Sequence, residues 1–263
     1  MEIFCPPSQL SFDLKHRVFS TWMEHTPFAY DLVEALKPRL LVELGTQGGV
    51  SYFSMCQAIE EFGLPTLAYA VDTWKGDSHT DNYGEEIYDA VNKHNLEKYR
   101  GFSYLLRMFF DEALTHFSDE SVDLLHIDGL HTYDAVKHDF DTWYPKVRPG
   151  GIILFHDITA RIQDFGVWKF WAELQEKYPT FTFQHGFGLG VLHKPGAPLS
   201  DAPLFRFLFG PAENHEALRR YYVHSGQYFE LKRKCEGLAN QVNNLKKKLA
   251  AATPAPAAVP PAS

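Results

Sequence analysis

The chain has few cysteines, no residue pattern typical of a signal peptide and no long hydrophobic run. Its three cysteines, Cys5, Cys56 and Cys235, are odd in number and far apart, which excludes a disulfide framework and a cysteine-rich zinc cluster. Residues 1–7 lack the basic region and apolar core of a signal peptide, and nothing approaches the length of a membrane-spanning helix. We therefore expect a protein without a transmembrane segment in the reducing cytoplasm.

Basic residues are also scarce. The chain carries 25 Lys and Arg against 33 Asp and Glu, a formal net charge of -8. A nucleic-acid-binding protein usually has a basic footprint, so we expect a small-molecule or glycan partner rather than nucleic acid. With 263 residues, 45% of them hydrophobic, the chain is long enough for one large α/β domain with an appendage.

The segment at residues 40–51 lacks one glycine of the fingerprint that is typical of a dinucleotide-binding loop. The apolar run at 40–44 predicts a buried parallel strand, and Gly45, Gly48 and Gly49 follow it. A dinucleotide fingerprint, G-x-G-x-x-G, would need glycine at 47, where Gln47 stands. The pattern is instead E-x-G-x-x-x-G, and helix amides after it are suited to hold a carboxylate or phosphate. The alternative is a strand-to-helix turn that binds nothing.

This pattern resembles motif I of the class I S-adenosylmethionine-dependent methyltransferases. In that family the loop wraps the methionine part of the cofactor. The resemblance implies that S-adenosylmethionine is bound by Glu43, Gly45, Thr46, Gly49 and Ser51.

Further strands recur along the chain with helical segments between them. Five are predicted at residues 40–44, 67–71, 103–106, 122–127 and 151–155, followed by an antiparallel hairpin at 180–184 and 189–193. Thr132 can cap the helix after the fourth strand. This alternation predicts an α/β fold, a Rossmann-like, doubly wound, mostly parallel sheet with an antiparallel carboxyl-terminal hairpin.

The chain divides into five predicted regions. A helical lead-in at 1–39, with Thr26 as N-cap, precedes the cofactor-binding domain at 40–195. A proline-flanked connector follows at 196–212, and its apolar run at 204–209 either packs on the domain or meets a partner.

The last two predicted regions are a helix and a tail. Apolar residues at spacings of three and four over 213–249 indicate a coiled coil, hence a homo-oligomer, or one long helix lying on the domain. The Ala- and Pro-rich residues 250–263 are predicted to be disordered.

An acid at the end of the second predicted strand is a further indication of a nucleoside-binding site. Asp72 follows that strand and is placed to accept hydrogen bonds from ribose hydroxyls. Trp74 is a candidate to cover the adenosine, although a tryptophan in a loop is as often a packing residue.

Polar residues also follow the fourth and fifth strands. Asp128 and His131 come after the fourth, and His156 and Asp157 end the fifth. Since ligands of open α/β sheets bind outside the carboxyl ends of the strands, these side chains should face the cofactor crevice. Two carboxylates suit a hard cation such as magnesium, and the same groups are candidate general bases. The alternative is that the acids cap the following helices.

The same segment is similar to the macrocin O-methyltransferase and cephalosporin hydroxylase group of class I methyltransferases. The similarity is carried by Ile127-Asp128-Gly129, His131-Thr132-Tyr133, Asp139, Trp143, Pro149-Gly150-Gly151 and His156-Asp157. It implies that Asp128 and Asp157 bind magnesium and place a sugar hydroxyl beside the methyl group. The macrocin-type enzymes have two adjacent acids after the fifth strand, whereas this chain has His156 before Asp157.

These observations predict an S-adenosylmethionine-dependent O-methyltransferase acting on a sugar or a glycosylated small molecule, in polysaccharide or natural-product synthesis. His131 is the first candidate for the base, with Asp128 and His156 beside it. Two alternatives stay open: a non-catalytic scaffold of a glycan-synthesis complex, and a hydroxylase-like member of the same family.

Overall fold

The computed structural model describes residues 5–80 and 84–252, and its centre is a seven-stranded sheet. The strands are β1 (Leu40–Leu44), β2 (Leu67–Asp72), β3 (Ser103–Arg107), β4 (Val122–Ile127), β5 (Val147–His156), β6 (Thr180–Phe183) and β7 (Leu189–His193). Their order is β3-β2-β1-β4-β5-β7-β6. The first five are parallel, and β7 is antiparallel to both β5 and β6. The predicted Rossmann-like sheet with its antiparallel hairpin is confirmed.

Helices cover both faces of this sheet. The α-helices are α1 (Ser8–Ser11), α2 (Thr26–Leu36), α3 (Val50–Glu61), α4 (Glu85–Lys98), α5 (Phe110–Ala113), α6 (Tyr133–Trp143), α7 (Val167–Lys177), α8 (Pro203–Phe209) and α9 (His215–Ala252). Alternate strand residues enter opposite cores: Leu41 packs with α2 and α3, whereas Val42 and Leu44 pack with α6 and α7. The carboxyl ends of β1, β2, β4 and β5 therefore open on one edge between the two layers.

The lead-in departs from its prediction at two points. Residues 12–20 contain no helix, and a 3-10 turn at Thr21–His25 runs directly into α2. Thr26 is not the N-cap: its backbone is already helical, and its hydroxyl donates to the carbonyl of Met23 at 2.9 Å. The turn before α2 occupies the place where a capping residue would stand. Thr132, by contrast, caps α6 as expected by accepting from the amide of Ala135 at 3.3 Å.

The carboxyl-terminal segments pack back onto the domain before α9 leaves it. Leu204, Phe205 and Leu208 of α8 are buried, so the apolar run of the connector contributes to the core. In α9 Tyr222 and Phe229 are also buried, whereas the side chains described from 235 onward are exposed. Of the tail expected at 250–263, the first three residues end α9, and residues 253–263 lie outside the described residues.

No helix within residues 5–80 and 84–252 combines the length and apolar character needed to span a membrane.

Candidate active site

The glycine-rich loop between β1 and α3 has a shape that requires glycine. Gly45 has a φ of +86°, and a Cβ built there would overlap the carbonyl oxygen of Asp128. Gly49 has a φ of +81°, and its missing Cβ makes room for the ring of Phe53. Both positions combine a left-handed backbone with a close neighbour, so any side chain would deform the loop.

Asp72 holds this loop in place. One carboxylate oxygen accepts from the amides of Thr46 and Gln47, both at 2.9 Å, and the other accepts from the amide of Trp74 at 2.7 Å. These bonds fix Gln47 in the left-handed region, with a φ of 46°. Asp72 also lines the cavity described below. The oxygen that accepts from Trp74 has made only one bond and can accept a further one, and the predicted contact with a ribose stays a prediction.

Trp74 lies beneath the loop rather than in the cavity wall. It is buried against Tyr88, with ring centroids 5.1 Å apart, and its indole N–H donates to the carbonyl of Gln47 at 2.9 Å. The packing interpretation of Trp74 therefore fits its position, and the predicted cover over adenosine does not.

Glu43 also lies behind the loop, in a buried chain of polar groups. The indole N–H of Trp22 donates to Nε2 of His126 at 3.1 Å. The other ring nitrogen, Nδ1, therefore carries the proton and donates to Glu43 at 2.8 Å. The second oxygen of Glu43 has no partner within the described residues. The sequence contained a signal for this pair, because Glu43 and His126 each stand one residue before the end of neighbouring strands.

A cavity of about 960 Å³ opens at the carboxyl ends of the strands. It is large enough for a nucleoside cofactor together with an acceptor, since small-molecule sites span roughly 300–1,000 Å³. The predicted residues in its wall are Gly45, Thr46, Gly49, Ser51, Asp72, Asp128, His131, His156 and Asp157. Nine of the predicted site residues thus share one cavity.

The two acids and two imidazoles after β4 and β5 form a compact cluster. Nε2 of His131 lies 3.0 Å from Asp157 and 3.7 Å from Asp128. Nδ1 of His156 lies 3.1 Å from Asp157 and 3.5 Å from Asp128. On its other side, His156 donates from Nε2 to the carbonyl of Gly186 at 2.9 Å. Each imidazole is therefore shared between both carboxylates.

The cluster holds its charges by mutual attraction. Burial disfavours the imidazolium form, but the nearby Asp128 and Asp157 outweigh it and raise the pKa of His131 to about 9 and of His156 to about 10. Burial likewise disfavours the carboxylates, but the imidazoles reverse this and hold the pKa of Asp128 and of Asp157 below the ordinary range. At neutral pH the four groups form two ion pairs.

Local backbone strain supports this arrangement. Asp157 has a φ of 60°, a left-handed conformation that non-glycine residues rarely adopt. The strain is offset by the two ion pairs that its carboxylate makes, and it turns that carboxylate into the cavity rather than along the strand.

Two further side chains, Phe165 and His79, contact the ring of His131. Its ring stacks on Phe165, with centroids 4.4 Å apart, and its Nδ1 lies 3.3 Å from Nδ1 of His79. Nε2 of His79 in turn lies 2.6 Å from the exposed Asp164. A chain of hydrogen bonds thus runs from the cluster to the surface. Sequence reasoning missed His79, because no pattern indicates that its loop folds back over the end of β4.

The donor set is compatible with a metal. One ligand atom each from Asp128, His131 and Asp157 lie within 4.8 Å of one another. Two carboxylates and an imidazole suit a divalent cation, with less preference for magnesium than an all-oxygen site would have. The three residues fit such an ion, and the magnesium requirement stays a prediction.

Two further parts of the chain complete the wall of the cavity. Residues 16–22 of the lead-in cover the loop, and His16 bonds to the carbonyl of Gly48 at 2.8 Å. Phe109, Phe110 and Asp139 line the opposite end. Asp139 appeared in the sequence only as part of a family resemblance, since its place on the helix surface depends on how α6 is rotated.

Comparisons with known proteins agree with this geometry. A family model described as "Methyltransferase domain" matches residues 42–158. The chain is 51% identical over 187 residues to the "Uncharacterized protein y4gI" of Sinorhizobium fredii, covering 71% of this chain and 20% of that protein. The chain thus spans about a fifth of that relative's length.

Solved structures share the fold at low sequence identity. A putative caffeoyl-CoA O-methyltransferase from Staphylococcus aureus has a TM-score of 0.51 at 13% identity, covering 68% of this chain and 85% of its own. The SAH-bound methyltransferase PaMTH1 of Podospora anserina has a TM-score of 0.50 at 16% identity, covering 65% and 78%. These likenesses support the fold.

Proposed function

We propose that this chain, whose residues 42–158 match a methyltransferase domain, transfers the methyl group of S-adenosylmethionine to a hydroxyl oxygen of a sugar or glycosylated small molecule. The observation that carries the proposal is the shared cavity: the loop held by Asp72 and the cluster around Asp128 line the same space. The loop suits the donor, and the cluster suits an acceptor hydroxyl whose proton must be removed. A role in polysaccharide or natural-product synthesis belongs to the same proposal.

The reaction needs one displacement and one proton transfer. The acceptor oxygen attacks the methyl carbon, the carbon–sulfur bond breaks, and its electron pair stays on sulfur. Because the sulfonium is already a good leaving group, the protein contributes mainly by aligning the two reactants. The loop at Gly45 and the acid Asp72 would hold the donor for that alignment.

His131 is the proposed base. In its neutral form Nδ1 keeps the proton and donates toward His79. Nε2, which faces Asp157 and Asp128, then has a lone pair that can accept the proton of the hydroxyl. The chain through His79 to Asp164 then offers a route by which that proton reaches solvent. A base in this position contributes about 10²–10⁴-fold to the rate.

His156 has a different proposed role. It is buried, and both ring nitrogens are engaged, with the two carboxylates and with the carbonyl of Gly186. It therefore orients Asp128 and Asp157 rather than exchanging protons with the substrate. If a divalent cation is bound, Asp128, His131 and Asp157 would hold it. His131 would then be a ligand rather than the base, and the ion would lower the pKa of the acceptor hydroxyl.

The test is incubation with S-adenosylmethionine labelled in its methyl group against a panel of nucleotide sugars and glycan acceptors, with added magnesium or with a chelator. Transfer of label to an acceptor oxygen supports the proposal, and the chelator arm decides the metal. The Asp128→Asn variant serves as the reduced-activity control.

Other outcomes separate the alternatives. Folded wild-type protein that does not bind S-adenosylmethionine by calorimetry would contradict the proposal and favour a scaffold. A product heavier by one oxygen instead of one methylene would identify a hydroxylase. Truncation after residue 234, which removes only exposed side chains among those described in α9, distinguishes assembly from catalysis, because an assembly segment can be lost without loss of turnover.

A further inference from the structure

Residues 13–19 of the lead-in lie against the glycine-rich loop, and we call this segment the strap. Nε2 of His16 donates to the carbonyl of Gly48 at 2.8 Å. A Cβ built at Gly48 would lie 3.3 Å from Cγ2 of Val18. His16, Val18 and Phe19 also line the cavity. The strap therefore forms the wall of the cavity beside the loop.

The strap depends on side-chain contacts for its position. It contains no helix or strand, so it lacks the ladder of backbone hydrogen bonds that would hold a regular element. Contacts with α3 fix one side of it: the amide of Lys15 donates to Gln57 at 2.9 Å, and Nζ of Lys15 lies 2.9 Å from Glu61. The other side faces α9.

Four charged side chains join the strap to α9. Nζ of Lys232 lies 2.6 Å from Asp13. The guanidinium of Arg17 donates to Asp13 at 2.6 Å and to Glu236 at 2.9 Å. Lys232 and Glu236 stand one helical turn apart, so both face the strap. The signs of the charges alternate along the row Lys232, Asp13, Arg17 and Glu236, which makes it a network rather than a set of isolated ion pairs.

Helix α9 also approaches the chain that follows the strap. A Cβ built at Gly226 would lie 2.0 Å from the carbonyl oxygen of Glu24, so only glycine lets the helix come this close to the 3-10 turn at Thr21–His25. Farther along, the guanidinium of Arg233 lies 5.5 Å from the ring centroid of Phe19. The helix thus contacts the lead-in from Gly226 onward, well before its exposed end.

These contacts connect a distant helix to the cofactor end of the cavity. On the premise of the proposed function, we propose that α9 sets the affinity for S-adenosylmethionine by holding the strap against the glycine-rich loop, with Lys232 and Glu236 as positioning residues. Neither of them is among the described residues that line the cavity, so each acts through Asp13 or Arg17. A strap released from α9 would enclose the cofactor less well, and the cofactor would dissociate faster.

The exposure of the ion pairs sets the size of the expected effect. The side chains of Lys232 and Glu236 are 31% and 45% exposed, so water and salt screen both pairs. The double variant Lys232→Ala, Glu236→Ala should bind S-adenosylhomocysteine about 3–10-fold more weakly than wild-type protein. Raising the salt concentration should weaken binding by wild-type protein more than binding by the variant.

The test measures these affinities by calorimetry, with thermal unfolding to show that each variant is folded. If Glu236 acts through Arg17, adding Glu236→Ala to Arg17→Ala should change the affinity by less than about twofold. Turnover at saturating donor should also stay within about twofold, because only binding is affected. The same turnover is expected of the chain truncated after residue 234, which lacks Glu236.

The control is Lys234→Ala, since the ion pair of Lys234, with Glu230 at 3.3 Å, lies within α9. It should leave the affinity and its salt dependence unchanged. Lys232→Arg should keep the wild-type affinity, because a guanidinium can also pair with Asp13.

Two results would overturn the proposal while leaving the proposed function intact: a folded double variant with wild-type affinity, or an equal loss of affinity in Lys234→Ala. Wild-type protein that does not bind S-adenosylhomocysteine would contradict the proposed function together with this inference.

Discussion

Carboxylates are buried in two places in this protein, and their pKa values are shifted in opposite directions. In the crevice, Asp128 is surrounded by imidazoles, and its pKa lies below the ordinary range. On the far side, Asp31 of α2 accepts only from neutral groups: the amide and hydroxyl of Ser8 at 2.7 and 2.6 Å, and the hydroxyl of Tyr222 at 2.9 Å. There burial prevails and raises the pKa of Asp31 to about 7.

Burial alone therefore does not decide the charge of an acid in this protein, and the partners do. Ser8, α2 and α9 are joined at Asp31, which makes that acid a structural clamp. In the crevice the same residue type keeps its charge and positions groups that can move protons. The predictions below separate the clamp from the crevice, from the largest expected effect to the smallest.

The two acids should differ most in turnover. Asp128→Asn removes one of the two carboxylates that hold His131 and His156, and we expect methyl transfer to fall about 10³-fold, within the range for acid–base groups. Asp31→Asn should leave turnover within about twofold, since it touches no reacting group. Label transfer at saturating cofactor measures both, and equal losses would remove the distinction.

The buried Asp31 should make the stability of the protein depend on pH. Folded protein keeps a proton on Asp31 up to about pH 7, whereas the unfolded chain releases it near pH 4. Stability from this group is therefore lost as pH rises between these values, by up to about 4 kcal/mol for three pKa units. Urea unfolding at pH 5 and pH 8 should show a smaller fall for Asp31→Asn. An unchanged fall would mean that Asp31 is ionised when folded.

Turnover, which depends on the crevice, should increase with pH, whereas the stability contributed by Asp31 decreases. His131, with its pKa raised to about 9, is a base only when neutral, so turnover should increase by up to about 100-fold from pH 7 to above pH 9. His131→Gln should flatten this profile. A profile that is already flat in wild-type protein would exclude His131 as the base.

Glycines provide the smallest and most closely matched contrast. Gly45→Ala should weaken S-adenosylmethionine binding about 10–100-fold, because both the left-handed backbone and the carbonyl of Asp128 oppose a Cβ. Gly63 also has a left-handed backbone, with a φ of +59°, but no atom lies within 4 Å of a Cβ built there. Gly63→Ala should therefore reduce stability and leave the affinity unchanged. Calorimetry and thermal unfolding measure the pair, and similar affinities would contradict the role of the loop.

Sequence reasoning located the parts of the site that follow from the sheet. Asp72, Asp128 and Asp157 end parallel strands, and the ends of such strands meet at one edge, so their convergence could be predicted. Trp74 and His79 stand in loops whose paths depend on tertiary packing. No periodic signal showed that Trp74 turns under the loop or that His79 reaches His131.

The same limit applies to helix boundaries and to rotation about a helix axis. Thr26 has the residue type of a cap, but a preceding 3-10 turn already fills that place. Asp139 faces the cavity only because of how α6 sits against Gly129.

The strand order has a consequence for biosynthesis. Strand β7 is the last to leave the ribosome, yet it lies between β5 and the edge strand β6. The sheet therefore cannot close until residue 193 has emerged and the hairpin has inserted. His156 gains its bond to the carbonyl of Gly186 only at that step. The crevice is thus completed only after all seven strands have emerged, so a nascent chain that has displayed its glycine loop still lacks an ordered cluster of acids and imidazoles.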